Sequence, residues 1–169
     1  EVRKDSLFVA IPGFKTDGRK YIADAIRKGA SVIVTEGTIE APENNITVIS
    51  VPDARNALAL LSAQFYGYPS RRLRMIGITG TNGKTTTSYL IKSIIDNAGK
   101  RCGLFGTISY IIGDETMPAP HTTPESSDLQ KYLYKIIETG AEYAVMEVSS
   151  HALELNRVAD CEFDIAVFT

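Results

Sequence analysis

The chain has 169 residues, 44% of them hydrophobic and 22% charged, with a formal net charge of −2. That composition belongs to an ordinary globular protein able to bury a sizeable core, and the absence of a basic excess argues against a nucleic-acid-binding surface. No apolar run reaches the roughly 18 residues that a membrane-spanning helix needs, and Glu1-Val2-Arg3-Lys4-Asp5 does not read as a signal peptide.

Ser6 to Ile11 is predicted to be a strand ended by Pro12-Gly13. Arg19 to Gly29 carries Tyr21, Ile22, Ala25 and Ile26 at helical spacing, with Gly29 as its stop. Ala30 to Thr35 is a β-branched run and a strand, and Ile46 to Val51 is another, closed by Pro52. Between them, 36–45 reads as a polar loop. Asp53 is placed to cap a helix over Ala54 to Tyr66, whose Ala57, Leu58, Leu61 and Phe65 line one face. The stretch Gly67-Tyr68-Pro69-Ser70 then marks a boundary, giving domains 1–70 and 71–169. Arg71, Arg72 and Arg74 read as a solvated lead-in to the next strand.

Met75 to Ile78 is a short apolar strand, followed by a small-residue turn and a helical pattern over Ser88 to Asn97. Arg101 to Phe105 reads as a strand, and Ile108 to Ile112 with Glu115 to Met117 as a hairpin across Gly113-Asp114. After the proline-bracketed loop 118–124, Ser126 or Ser127 caps a helix that runs to about Thr139 and stops at Gly140. Tyr143 to Val148 is a strand, Ala152 to Asn156 a helical turn and Phe163 to Phe168 the last strand. Strands alternating with helices predict an α/β fold with a parallel, doubly wound sheet. Cys102 and Cys161 fall in apolar contexts and are expected to be reduced thiols of a cytoplasmic protein.

The chemistry is concentrated in Gly80-Thr81-Asn82-Gly83-Lys84-Thr85-Thr86. Strand, glycine turn and helix carrying Lys-Thr is the layout of a phosphate-binding loop. Glycines let successive N–H groups turn toward an anion, and the helix N-terminus adds partial positive charge. Lys84 can reach the β- and γ-phosphates, and the Thr85 hydroxyl can ligate Mg²⁺. The spacing is tighter than the usual G-x-x-x-x-G-K-[ST], because the position five before Gly83 is Ile78. A plain Gly-rich turn bearing a surface lysine is the competing reading.

Glu147, near the carboxyl end of the 143–148 strand, fits the acidic second ligand of Mg²⁺ in such sheets; the bland alternative is a strand-end carboxylate facing water. Ser149, Ser150 and His151 follow it. A serine–histidine nucleophile pair has no supporting motif, so substrate contacts are the preferred reading, and His151 can equally cap the next turn. His121-Thr122-Thr123-Pro124 offers hydroxyls for a phosphate or sugar, or simply leads into a helix. Arg157 can pair with an anionic substrate group or lie free on the surface.

These motifs together, Gly80 to Thr86, His121 to Pro124, Met146-Glu147-Val148-Ser149-Ser150-His151-Ala152-Leu153 with Arg157, and Ala166 to Thr169, closely resemble the Mur ligases of peptidoglycan synthesis. Within that family they look most like the branch that adds the third amino acid to the UDP-N-acetylmuramoyl dipeptide. Asp5 to Gly13, Asp17-Gly18 and Ala25 to Ala30 resemble the family's uridine-binding N-terminal domain, so the likeness covers nearly the whole chain. The short glycine pattern is the wider superfamily's form, shared with folylpolyglutamate synthetases; the Glu147 and His121 motifs are more specific to the branch.

The resemblance implies a small uridine-binding α/β domain followed by a P-loop-type parallel-sheet ATP-binding domain. It implies ATP-dependent amide ligation through an acyl phosphate, joining meso-diaminopimelate or L-lysine to UDP-MurNAc-L-Ala-D-Glu, with ATP and Mg²⁺ required. Carried over residue by residue, Gly80, Thr81, Asn82, Gly83, Lys84, Thr85 and Thr86 bind ATP, and Thr85 and Glu147 serve Mg²⁺. Lys84 and Glu147 are the catalytic candidates. Thr122, Thr123, Ser149 and Arg157 would hold the muramyl dipeptide, and Phe14, Lys15 and Thr16 the uridine. The expected protein is a cytoplasmic monomer with no nucleic-acid partner and no membrane span.

The family's next segment, Asn-Leu-x-x-Asp-His, its carbamylated lysine and its C-terminal domain do not occur in the sequence. The chain therefore reads as a fragment of a longer protein, expected to be inactive in ligation by itself. Other ligases of the superfamily, of folylpolyglutamate or cyanophycin type, are the competing enzymes, against which the uridine-binding domain argues. A P-loop nucleotide switch is the non-enzyme alternative, weakened by the absence of an Asn-Lys-x-Asp motif.

Overall fold

Ala30–Glu36 forms β2, the middle strand of a three-stranded parallel sheet whose neighbours are β1 (Ser6–Ala10) and β3 (Thr47–Val51). The structure, a computed structural model, describes residues 2–13, 16–39 and 45–169. The chain divides into two compact units, Glu1–Leu58 and Ala59–Thr169. In the first, α1 (Ile22–Arg27) packs its Ile22 and Ala25 with Ala10, Ala30, Ile33 and Ile46 into one core.

The helix predicted over 19–29 is two pieces. A 3-10 turn over Gly18–Tyr21 precedes α1, because the Asp17 carboxylate accepts the Arg19 N–H at 2.9 Å and starts a tighter turn. The same carboxylate pairs with the Arg19 side chain, which lowers its pKa. Helix α2 (Ala54–Phe65) has the expected cap: Asp53 Oδ1 accepts from Arg55 N–H at 2.8 Å and Asn56 N–H at 2.9 Å. Glu36 adds an acceptor for Ala54 N–H at 2.9 Å, which joins the exit of β2 to the start of α2.

The second unit contains a six-stranded sheet in the order β7-β6-β5-β8-β4-β9. Its strands are β4 (Arg74–Thr79), β5 (Cys102–Phe105), β6 (Ser109–Ile112), β7 (Glu115–Pro118), β8 (Tyr143–Glu147) and β9 (Ile165–Phe168). The four strands β5, β8, β4 and β9 run parallel, and the predicted hairpin β6–β7 continues the sheet antiparallel from β5. Helices α3 (Lys84–Asn97) and α4 (Ser126–Glu138) supply the two faces. Period-two alternation assigns them: Met75, Phe105 and Met146 pack with Leu129, Leu133 and Ile136 of α4. Ile76, Ile78, Leu104 and Val145 pack with Tyr89, Ile91 and Ile95 of α3. Full burial of each α4 apolar side chain stabilises the fold by about 1.5–3 kcal/mol.

Two helix starts differ from expectation. Helix α3 begins one turn earlier than the apolar pattern, at Lys84, because Gly83 in a left-handed conformation (φ 84°) serves as its N-cap and Thr85 to Thr87 wind into its first turn. Helix α4 is not capped by Ser126 or Ser127. Glu125 holds the cap position without a side-chain bond, since its carboxylate is paired with Arg157 at 2.6 Å. Helix α5 (Ser150–Glu154) is capped by Ser149, whose Oγ accepts from Ala152 N–H at 3.1 Å, rather than by His151. The last strand starts at Ile165 rather than Phe163, where Asp164 holds the Met75 N–H at 2.8 Å and the Arg74 guanidinium at 2.8 Å.

Cys102 and Cys161 are free thiols, and burial raises their pKa to about 11 and about 12. Among the described residues no helix is long and apolar enough to cross a membrane.

Candidate functional site

The carboxyl ends of three adjacent parallel strands meet at the site. Strand β4 delivers Thr79 and Gly80, β8 delivers Glu147, and β5 delivers Gly106 and Thr107. Register explains the meeting: Ile78 lies beside Glu147, and Phe105 lies beside Met146. Open α/β sheets present ligands with this edge.

At Gly80 the backbone has φ 136°, and a Cβ there would lie 2.0 Å from the Thr169 carbonyl oxygen. Only glycine fits that approach, in which the Thr169 N–H also donates to the Thr79 carbonyl at 2.9 Å. Thr81, Asn82, Gly83 and Thr86 are exposed around the helix start. Lys84 folds back over the loop, donating from Nζ to the carbonyls of Gly80 at 2.7 Å and Thr81 at 3.4 Å.

Glu147 is fully buried, yet its hydrogen-bonding partners are neutral. Its Oε2 accepts from the Thr85 hydroxyl at 3.0 Å and the Thr107 hydroxyl at 2.9 Å. Its Oε1 accepts from the Thr107 N–H at 3.1 Å and lies 3.4 Å from Ser88 Oγ. The Ser88 hydrogen has a better acceptor, the Thr85 carbonyl at 2.8 Å. A buried carboxyl group bonded by hydroxyls and one N–H is an arrangement suited to receiving positive charge.

Two hard oxygens, Thr85 Oγ1 and Glu147 Oε2, therefore stand side by side at the start of α3. Among the described residues no group of three or more His, Cys, Asp or Glu could hold a metal ion by itself. One hydroxyl and one carboxylate fit Mg²⁺, which uses few protein ligands and completes its shell with water and phosphate oxygens.

The loop 121–125 lies against the same strand end. Thr122 Oγ1 contacts Thr107 Oγ1 at 3.2 Å. Thr123 is 1% exposed, and its hydroxyl donates to the Glu147 carbonyl at 2.9 Å while accepting the Ser149 N–H at 3.2 Å. Arg157 donates to the Thr123 carbonyl at 3.1 Å and pairs with Glu125 at 2.6 Å; its side chain is 13% exposed, so it is not a free surface arginine. The His121 carbonyl accepts from the buried Tyr110 hydroxyl, whose pKa burial raises to about 12. Ser149 is turned toward the α5 start, and Ser150 and His151 are exposed in that helix.

Thr85, Glu147, Thr107, Thr122, Thr123, Ser149 and Arg157 are thus linked by one run of hydrogen bonds along the sheet edge, whereas the hydrogen bonds of Lys84 stay within its own loop. Phe14 and Lys15 lie outside the described residues. Thr16 is exposed in the first unit, where its carbonyl accepts from Gly13 N–H at 3.1 Å. Sequence reasoning missed Ser88, Gly106, Thr107 and Glu125. The small pair Gly106-Thr107 at the exit of a predicted strand was the available signal, and strand order was needed to use it.

Two family models match the chain: "Mur ligase middle domain" over residues 78–169 and "Mur ligase family, catalytic domain" over residues 1–66. A UDP-N-acetylmuramoyl-L-alanyl-D-glutamate–2,6-diaminopimelate ligase of Caldanaerobacter subterraneus subsp. tengcongensis is 51% identical over 96% of this chain and 34% of its own length. The ligase of the same name from Geobacter metallireducens is 49% identical over 100% of this chain and 33% of its own. The chain thus spans about a third of the length of the curated relatives it matches. A solved structure of a ligase with that name superposes with a TM-score of 0.79 at 30% identity, covering 99% of this chain and 34% of that one. The MurF ligase of Thermotoga maritima, solved in complex with ADP, gives a TM-score of 0.57 at 25% identity over 89% of this chain and 30% of its own.

Proposed function

The chain belongs to the Mur ligase family, and from that premise we propose that it is the nucleotide-binding part of an ATP-dependent amide ligase. The reaction proposed is addition of meso-diaminopimelate, or L-lysine, to UDP-MurNAc-L-Ala-D-Glu. The observation that carries this reading is the contact of Thr85 with Glu147 at the start of α3, beside the loop that bears Thr122 and Thr123. Relatives at 51% and 49% identity whose names carry diaminopimelate support that amino acid over lysine.

In this reading the N–H groups of Gly80 to Thr86 and the N-terminus of α3 face the ATP phosphates. Lys84 exchanges its two carbonyl partners for the β- and γ-phosphate oxygens. Mg²⁺, when bound, supplies charge neutralisation at the phosphates, and Thr85 and Glu147 would hold it. The muramyl dipeptide's carboxylate attacks the γ-phosphorus and ADP leaves, giving an acyl phosphate; the amine of the third amino acid then displaces phosphate. Catalysis of this kind rests on positioning and charge, which a lysine and oriented N–H groups provide. Thr122, Thr123, Ser149 and Arg157 would position the dipeptide, Thr123 through the backbone it braces. Phe14, Lys15 and Thr16 would contact uridine. A domain boundary near Gly67 to Ser70 is part of the proposal, supported by family matches that end at 66 and resume at 78. So are a cytoplasmic location and a monomeric state.

The test is product formation by the protein that carries this chain, given ATP, Mg²⁺, the muramyl dipeptide and either amino acid. The expected result is a muramyl tripeptide, ADP and phosphate with diaminopimelate and little with lysine. Nucleotide hydrolysis indifferent to the muramyl substrate, or a response to GTP alone, would overturn it in favour of a nucleotide switch.

A further inference from the structure

Glu147 is held by one residue through both of its oxygens. The Thr107 N–H reaches Oε1 at 3.1 Å and the Thr107 hydroxyl reaches Oε2 at 2.9 Å. A two-point clamp fixes the carboxylate plane, whereas the Thr85 bond alone would leave it free to rotate. Gly106 makes the clamp possible, because a Cβ there would stand 2.6 Å from Glu147 Oε1. The Gly106 N–H bond to the Ser109 carbonyl at 3.1 Å holds the corner.

A threonine hydroxyl has one hydrogen, and that of Thr107 faces two acceptors, Glu147 Oε2 at 2.9 Å and Thr122 Oγ1 at 3.2 Å. Thr122 is the accepting side of that contact and keeps its own hydrogen for an acceptor on a ligand.

We propose that Thr107 is the positioning residue of this site: it sets the Glu147 carboxylate for the metal and, through Thr122, ties it to the substrate loop. The inference rests on the ligase reading above. It makes Thr122 a donor toward an acceptor of the muramyl dipeptide, such as a carbonyl or carboxylate oxygen. It also couples metal binding to substrate binding across 15 residues of sequence.

The experiment compares the wild-type protein with T107V, T107S and T122V. Affinity for a non-hydrolysable ATP analogue is measured by calorimetry with Mg²⁺ and again with EDTA, and the ratio of the two reports metal binding without turnover. KM for the muramyl dipeptide is measured in parallel. T107V is expected to lower the ratio about tenfold or more and to raise KM, because outer partners of metal ligands act with about that weight. T107S, which keeps both donors, is expected within about threefold of wild type. T122V removes only the far end and is expected to lower the ratio about two- to threefold, a smaller share of the same effect. A folded T107V with the wild-type ratio overturns the proposal. So does a wild-type ratio in T122V, which also decides the matter should T107V fail to fold. A wild-type protein indifferent to Mg²⁺ would overturn the ligase reading itself, and the inference with it.

Discussion

Thr85 and Glu147, 62 positions apart in sequence, meet at 3.0 Å where the first turn of α3 crosses the end of β8. The contact joins a hydroxyl in the first turn of α3 to a buried carboxyl group on the adjoining strand. Glu147→Gln keeps the shape but presents an amide N–H₂ in place of a carboxylate oxygen to hydroxyls that now donate. Phosphate release in the ligation assay is expected to fall about a hundredfold or more. The thermal midpoint should move by only a few degrees, since the side chain still fills its place. Activity within threefold of wild type would remove Glu147 from the site.

Gly106 and Gly67 make a matched pair of alanine tests. A Cβ at Gly106 collides with the Glu147 carboxylate, whereas a Cβ at Gly67 meets nothing within 4 Å. Gly106→Ala is expected to lower kcat/KM by at least about tenfold through displacement of the carboxylate. Gly67→Ala should leave kcat/KM unchanged and cost only backbone strain of about 1 kcal/mol at its φ of 69°. Equal kinetic effects in the two variants would contradict this geometry.

Asp164 gives the fold a defined acid limb. The Arg74 guanidinium, and then the Met75 N–H, hold its carboxyl below its ordinary value of 3.8. A lowered folded pKa means that the unfolded chain binds more protons, so this contribution is present above about pH 4 and fades as pH falls through the folded value. Asp164→Asn should therefore be less stable than wild type at pH 6 to 7, with the gap narrowing below pH 4. Chemical denaturation at a series of pH values measures it; a gap independent of pH would show that the charge contributes nothing.

The thiols should be inert in the native state. Burial raises Cys102 to about 11 and Cys161 to about 12, so the thiolate is scarce at pH 8. Reaction with an aromatic disulfide reagent is expected to be slow until denaturant is added, and rapid stoichiometric labelling of the native chain would contradict the packing around Gln130 and Cys161.

Much of this was legible in the residues. The β-branched run of β2 and the apolar run of β4 marked strands because those residues are buried in the sheets, and the glycine turn marked the link from β4 to α3. What the sequence hid was set by tertiary partners. The start of α3 was obscured because Thr85 to Thr87 carry no apolar period, and the left-handed Gly83 decides it. Serine looked like the α4 cap by type, but the competing fact, Glu125 drawn to Arg157, lies 32 positions away. Thr107 was invisible for the same reason: nothing local connects it to Glu147 until β5 and β8 are known to be neighbours. Thr123 looked like a substrate hydroxyl, and its hydrogen is taken by the Glu147 carbonyl.

In the proposed reaction the glycine loop and Glu147 serve attack of a substrate carboxylate on ATP. The most direct measurement places ¹⁸O in the D-glutamyl carboxylate of the muramyl dipeptide and follows the label during turnover with ATP, Mg²⁺ and diaminopimelate. Activation through an acyl phosphate carries one labelled oxygen into each phosphate released, in step with amide formation. Phosphate that takes its new oxygen from water, with the label left in the peptide, would contradict the account.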